Sequence, residues 1–253
     1  MFDFNTTAGV GTDTIDRSVL GPPFINMIQK GSPEFDETHT KFIEKNIPGC
    51  RPGNILFEPE RLVLSQPLEV IPLAQIPLYT EWKPNKGGFA GNHPVDITAH
   101  RDYRKGVPGS PTQYREYLGQ NELVYTITFL VLFRQDDKWT KGMIAFTSTQ
   151  LKAARLWSKT IVTTKFADMP NVKPPIFAAV YNLTTFADSN SKGGYFSWRI
   201  TLARMLNPTA DQALLEQAFA ESKQAALTLP QPNVRQALTA PALAEAHLVD
   251  TPY

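Results

Sequence analysis

Aromatic and basic residues alternate in a stretch from Ile76 to His93, which has the sequence IPLYTEWKPNKGGFAGNH. This stretch ends a strand-like alternating pattern with an aromatic and basic tip and opens into a glycine-containing loop. The same mixture of residues recurs around Tyr103, Tyr114 and Trp139 and in residues 152–159 and 195–199. Cations meet the phosphates of a single-stranded nucleic acid, and flat rings stack on its unpaired bases. These residues therefore predict a surface that binds single strands.

Two groups of residues are the predicted contacts of this surface. Basic residues in loops and on one helix are expected to contact phosphates: Lys83, Lys86, Arg101, Arg104, Lys105, Arg115, Lys141, Lys152, Arg155 and Lys159. Aromatic residues near them in the sequence are expected to stack on bases: Trp82, Phe89, Tyr103, Tyr114, Trp139 and Trp198. Aromatic residues inside strands more often belong to the core, and Trp157 fits the core because it lies on the apolar stripe of a predicted helix. Together the two groups predict a cationic, aromatic-lined groove with little sequence preference.

Charge is distributed unevenly along the chain, although its net value is only +1. Lysine and arginine outnumber aspartate and glutamate by 13 to 6 in residues 82–165, but are outnumbered by 11 to 6 in residues 1–81. A basic middle between acidic ends is typical of a protein that binds a polyanion on one face. The alternative is a solvated surface on which charges cluster by chance.

The composition limits the class of protein. With 253 residues and 42% hydrophobic content, the chain can form a substantial core. A single cysteine, Cys50, excludes an intrachain disulfide framework. No apolar run approaches the roughly 18 to 20 residues of a membrane span, and the N-terminus lacks the pattern of a secretory signal. We therefore expect a folded protein in a cytosolic setting.

Strand patterns dominate the elements that must position these side chains. They cover residues 55–58, 61–65, 70–82, 122–134, 139–147, 176–186 and 195–202. Pro72 and Pro77 are expected to keep the third of these strands off a central position. Helices are predicted near residues 24–28, from Gln150 onward and over residues 208–229, and a long loop over residues 83–120. The pattern predicts an α+β fold, with a mostly antiparallel β body and two or three peripheral helices.

The domain organisation follows from the same pattern. We expect a mobile N-terminal arm in residues 1–20, a single nucleic-acid-binding domain in residues 21–229 and a flexible C-terminal tail in residues 230–253.

Catalytic residues are not evident in the sequence. His93, Asp96 and His100 could hold a divalent metal, but their spacing matches no strong zinc motif. Gly87, Gly88 and Gly91 lack the Gly-Lys-Ser/Thr ending of a phosphate-binding loop. We therefore expect no enzymatic activity, no metal and no cofactor.

Four segments resemble a known family: PPFINMIQKGSPE (residues 22–34), EWKPNKGGFAGNHP (81–94), FTSTQLKAARLW (146–157) and SNSKGGYFSWRI (189–200). They are similar to tailed-phage proteins associated with single-stranded DNA binding, and closest to the single-stranded-DNA-binding RNA polymerase cofactors of podoviruses. The resemblance implies a protein of the host cytoplasm without catalytic activity, a fold unlike the standard OB barrel, and recruitment of a phage polymerase to melted promoters. The site residues named above come from composition and spacing and not from this resemblance.

Partners other than single-stranded DNA remain open at this point. The expected ones are a phage RNA polymerase or replication proteins, and a homo-oligomer is possible, whereas no membrane partner is expected. A first alternative is a protein-binding transcription or host-takeover factor that uses the basic face for an acidic protein. A second is a metal-dependent hydrolase that uses His93, Asp96 and His100.

Overall fold

The computed structural model describes residues 23–166, 171–191 and 193–228. The helices in this part of the chain are α1 (Phe42–Lys45), α2 (Leu151–Thr163) and α3 (Gln212–Thr228). The strands are β1 (Ile25–Met27), β2 (Ile55–Phe57), β3 (Leu62–Leu64), β4 (Leu68–Trp82), β5 (Phe89–His93), β6 (Tyr103–Lys105), β7 (Glu116–Leu118), β8 (Asn121–Gln135), β9 (Lys138–Thr147), β10 (Ala179–Asn190) and β11 (Gly193–Met205). The predicted arm (residues 1–20) and tail (residues 230–253) lie outside the described residues. None of the described helices is long and apolar enough to span a bilayer.

Antiparallel pairing organises the strands into two sheets. The larger sheet has the order β11-β10-β4-β8-β7-β6, with β5 added to β4 and β9 added to β8. The smaller sheet has the order β1-β2-β3. The predicted α+β class is confirmed, and this strand order differs from the five-stranded Greek-key barrel of an OB fold.

β4 and β8 are the backbone of the larger sheet, because each is 15 residues long and they pair from Val70 and Phe133 to Trp82 and Glu122. β-branched and aromatic residues, which favour extended structure, fill β8. β9, β10 and β11 flank one half of this pair, and β5, β6 and β7 flank the other. We call the second half the wing: β5, β6 and β7 with residues 78–82 of β4 and 121–126 of β8. The rest is the body.

Side-chain alternation along β8 gives the body two cores. Phe129, Val131 and Phe133 belong to a core that includes the small sheet and α2. On the opposite face, Leu132 is in a second core with Ala218 of α3. The stack of Trp157 on Phe129, with ring centroids 4.2 Å apart, holds α2 on the first core. The two faces of one sheet thus carry α2 and α3.

Two prolines mark the centre of β4 without placing it at the edge of the sheet. β4 lies between β10 and β8, so the prediction that Pro72 and Pro77 keep it off a central position is wrong. β10 pairs only with residues 68–70, and β5 pairs only with residues 79–82. Both prolines lie between these ranges, where β4 pairs with β8 alone and its other side is unpaired, as on the edge strands that tolerate proline.

Two further elements differ from the predictions. The segment around Ile25 forms strand β1 and not a helix, because it pairs with β2 and because Met143 N–H of β9 donates to Pro23 O at 2.8 Å. The predicted loop of residues 83–120 contains β5, β6 and β7 and forms most of the wing. Both elements depend on partners distant in sequence, which override local preference.

A hydrogen-bonded network ties β4 to both neighbours in the wing. Glu81 Oε1 accepts a hydrogen bond from Asn121 Nδ2 of β8 at 2.6 Å, and Glu81 Oε2 pairs with His93 Nε2 of β5 at 2.7 Å. The hydrogen bond from Asn121, with a smaller contribution from His93, lowers the pKa of the Glu81 carboxyl below its usual value. The carboxylate form therefore holds three strands of the wing together.

Removal of the Trp157 side chain should destabilise the body. Trp157 is 1% exposed, so Trp157→Ala should lower the free energy of unfolding by about 3 to 5 kcal/mol in urea titrations. Trp157→Phe should cost less, since the ring stack is kept and the indole N–H has no hydrogen-bond partner among the described residues. Leu156→Ala is the matched control, because the side chain of Leu156, next to Trp157 in the sequence, is 61% exposed. This substitution should change the free energy of unfolding by no more than about 0.5 kcal/mol. Equal losses for Trp157→Ala and Leu156→Ala would contradict this assignment of the core.

Stability should depend on pH through Glu81. A folded pKa below the unfolded value means that the carboxylate stabilises the fold above the usual pKa of 4.5, and that this contribution is lost as pH falls through the folded pKa. Glu81→Gln should therefore flatten the loss of unfolding free energy between about pH 6 and about pH 3, measured by urea titration. Glu58→Gln removes an exposed carboxyl next to β2 and should follow the wild type. Parallel curves for wild type and Glu81→Gln would argue against the network.

Candidate nucleic-acid interface

The wing has one buried face and one open face. Tyr79 and Leu123, which are 8% and 3% exposed, point to the same face as the body core that contains Phe129. Trp82 and Phe89 point to the other face and are 43% and 55% exposed. We call these the inner and outer faces of the wing.

A row of five residues crosses the outer face, one from each strand of the wing. Strand register places them side by side in the order Phe89, Trp82, Glu122, Tyr117 and Arg104. The Trp82 and Phe89 rings meet edge to face with centroids 6.1 Å apart, and the Arg104 guanidinium lies 4.3 Å from the centroid of the Tyr117 ring. Five strands at a spacing of about 4.8 Å make the row about 19 Å long. We call it the aromatic row.

Positive charge surrounds the single carboxylate of the aromatic row. Glu122 binds Arg115, whose Nη1 lies 3.2 Å from Glu122 Oε2. Arg104 belongs to the row itself, and Lys83 is exposed next to Trp82. Phosphates that approach the row would therefore meet Arg104 and Arg115, the second of which is partly neutralised by Glu122.

The aromatic row has the chemistry of a stacking platform. The Trp82 and Phe89 rings, which pack edge to face, are each partly exposed and so offer aromatic surface to a ligand. An arginine held against a tyrosine presents a flat cation that can stack on a base or bind a phosphate. A sheet face with these groups suits two or three unstacked bases.

The sequence-predicted residues Trp82, Phe89, Arg104 and Arg115 are thus brought together. Tyr117 and Glu122, which complete the aromatic row, are missing from the predicted set. Tyr117 lies between Glu116 and Leu118, and once the segment is recognised as a strand, side-chain alternation places Tyr117 on the opposite face from these two neighbours.

Tyr103 takes a structural position on the inner face. Its hydroxyl donates to Glu116 Oε1 at 2.8 Å. Burial and this neighbouring carboxylate raise the pKa of Tyr103 to about 12, and burial together with Glu116 also raises the pKa of Tyr79. Tyr103 is therefore a correction to the predicted platforms, because it lies on the opposite face from the aromatic row.

Other predicted residues of the wing lie around its margin. Arg101 is exposed, and its Nε lies 3.7 Å from an Asp102 carboxylate oxygen. Lys105 is exposed at the end of β6, and Tyr114 is 67% exposed before β7. The side chain of Lys86 lies outside the described part of the chain.

Predicted residues of the body are distant from the aromatic row in the sheet. Lys141 Nζ donates to Glu221 Oε2 of α3 at 2.6 Å, which neutralises it, and Trp139 packs against the second core. Trp198 is 4% exposed in the first core, with its ring centroid 6.4 Å from that of Phe146, so its predicted role as a base platform is wrong. The cations of α2, Lys152, Arg155 and Lys159, are exposed on a separate surface.

The structure does not assemble the candidate metal site. His93 pairs with Glu81, and His100 Nδ1 accepts a hydrogen bond from the Asp102 backbone at 3.2 Å. Across residues 23–166, 171–191 and 193–228, no three His, Cys, Asp or Glu side chains form a group that could hold a metal ion. The geometry therefore gives no support to the hydrolase alternative.

Similarity to known proteins places the chain in a group. A search of curated proteins finds no match, and a search of solved structures finds none either. A family model described as the Pam3 phage gp34-like protein matches residues 1–227. Because this match spans most of its length, the chain belongs to the Pam3 phage gp34-like family of phage proteins.

Proposed function

We propose that this phage protein binds single-stranded DNA through the outer face of its wing, without strong sequence preference. The aromatic row is the observation that carries this proposal, because it combines exposed rings with cations over about 19 Å of one sheet face. We propose a binding protein and not an enzyme, since the row offers stacking and charge but no nucleophile and base in contact.

Exposed rings favour a single strand over a duplex. Bases in a duplex stack on one another, so the Trp82 and Phe89 rings could reach them only after unpairing. Every unpaired base has a flat face, which makes such stacking tolerant of sequence. Arg104, Arg115 and Lys83 would then follow the phosphates of the same strand.

A role in phage transcription or replication is the second part of the proposal. The segment EWKPNKGGFAGNHP, residues 81–94, is similar to the phage single-stranded-DNA-binding RNA polymerase cofactor Drc, and it contains Trp82 and Phe89 of the aromatic row. Membership of a phage family is consistent with this resemblance. We propose that the bound strand is presented to a phage RNA polymerase or to replication proteins.

The first experiment is an anisotropy titration of labelled single-stranded oligonucleotides of several sequences, beside the matching duplex. Trp82→Ala and Phe89→Ala should each weaken single-strand binding by about 1 to 3 kcal/mol, or about 5- to 150-fold in Kd. Phe219→Ala is the matched control, because this ring is 51% exposed on α3, outside the wing, and it should leave Kd unchanged. Binding that ignores both wing variants, or that is equal for duplex and single strand, would overturn the proposal.

Salt dependence tests the electrostatic contacts separately. Each phosphate contact contributes about 0.7 to the slope of log Kd against log salt concentration for single strands. Lys83→Gln and Arg104→Gln should each lower this slope by about 0.7, whereas Lys138→Gln, which changes an exposed lysine at the start of β9, should leave it unchanged. A slope that stays constant in both wing variants would remove these cations from the interface.

A further inference from the structure

α2 presents an exposed stripe that the fold does not use. Lys152, Arg155, Leu156, Lys159 and Val162 are exposed, and at about 100° per residue they fall within one third of the helix circumference. Ala154 and Trp157 on the opposite side are buried in the first core. Leu156 and Val162 are 61% and 60% exposed, so two aliphatic side chains stand among three cations.

The cations of this stripe differ from those elsewhere on the body. Arg134, Lys141 and Arg204 each bind a carboxylate at 2.6 to 2.9 Å. For Lys152, Arg155 and Lys159 no ion pair within 4.0 Å is found among the described residues. The stripe therefore keeps its positive charge available to a ligand.

A groove adjoins the stripe on the side of Leu156. It encloses about 310 Å³ between α2 and the β10–β11 hairpin, and its lining includes Lys152, Leu156, Phe186, Tyr195, Arg199 and Ile200. The aromatic side chains of the groove already have partners. Arg199 lies over the Phe186 ring at 5.0 Å, and the Tyr195 hydroxyl donates to Asp188 Oδ2 at 2.9 Å.

We propose that the α2 stripe and this groove form a docking surface for an acidic, amphipathic segment of a partner protein. Carboxylates of the segment would bind Lys152, Arg155 and Lys159, and an apolar side chain would enter the groove beside Leu156. Lys152 and Arg199 line the groove with one carboxylate, that of Asp188, and Arg155 and Lys159 add positive charge along the exposed stripe, so the surface is complementary to an acidic segment.

A protein segment fits this surface better than a nucleic acid strand does. Exposed leucine and valine offer apolar area but no flat face for a base, and Arg199 already lies over the Phe186 ring of the groove. Acidic residues interspersed with apolar ones on one helical face match cations interspersed with leucine and valine. The α2 stripe and the aromatic row are separate surfaces, so each can fail its own test.

The test uses a fluorescein-labelled peptide with glutamate and leucine at helical spacing, titrated by anisotropy with the full-length protein. The double variant Lys152→Glu/Lys159→Glu should weaken peptide binding by about tenfold or more, and Leu156→Ser by about threefold or more. Trp82→Ala in the wing is the matched control and should leave peptide binding unchanged. Conversely, the α2 variants should leave single-stranded oligonucleotide binding within about twofold of wild type, while Trp82→Ala weakens it.

Two control peptides separate charge from apolar contact. One carries glutamine in place of glutamate and the other carries serine in place of leucine, and both should bind more weakly than the parent peptide. No saturable binding of the parent peptide to the wild type would overturn the proposal. Equal loss of oligonucleotide binding in the α2 and wing variants would assign the stripe to the nucleic acid instead, and an unaffected Leu156→Ser variant would reduce the surface to non-specific charge.

Discussion

Pairing between β4 and β8 is the constraint on which the other features of this protein depend. Residues 70–82 of β4, apart from Leu73 at a bulge, each face a fixed partner on β8, and alternation sends successive side chains to opposite faces of the sheet. The same register therefore assigns Phe129 to the first core, Leu132 to the second and Trp82 to the outer face of the wing. A slip by one residue would bury Trp82 and expose Glu81, so the core and the candidate interface are specified together.

Several contacts fix this register along its length. In the body, the stack of Trp157 on Phe129 holds β8 against α2, and Ser222 Oγ of α3 donates to Leu73 O of β4 at 2.9 Å. In the wing, Asn121 Nδ2 binds Glu81, and the hydroxyls of Thr80 and Thr126 are 3.1 Å apart. Apolar contacts thus dominate in the body and polar ones in the wing. The wing has little core of its own, and its strands are held by a few specific side-chain hydrogen bonds.

The sequence predicts the body better than the wing, and the reason is physical. β8 and α2 are long, and their apolar periodicity favours one structure. β6 and β7 have three residues each, with glycine and proline around them. They form through pairing with other strands, β7 with β8 and β6 with β7. Trp198 is misassigned because its neighbour Arg199 suggests exposure. The alternation of Phe196, Trp198 and Ile200 with Ser197 and Arg199 would have placed this ring in the core.

The near-neutral net charge of the chain is compatible with local cationic surfaces, because acidic residues elsewhere in the chain offset them and three cations of the body form ion pairs. Arg134 with Glu69, Lys141 with Glu221 and Arg204 with Asp211 form ion pairs across the sheet or between the sheet and α3. Within each pair the two opposite charges offset one another. Salt screens what remains of their field beyond about one Debye length, roughly 10 Å at 0.1 M salt. Arg104 in the wing and Lys152, Arg155 and Lys159 on α2 form no ion pair within 4.0 Å among the described residues. α2 packs on the inner face of the large sheet, whereas the aromatic row lies on the outer face of the wing, so a strand on the row and a segment on the α2 stripe would contact different elements of the fold. The proposed single strand and the proposed partner segment would therefore not compete for the same elements of the fold.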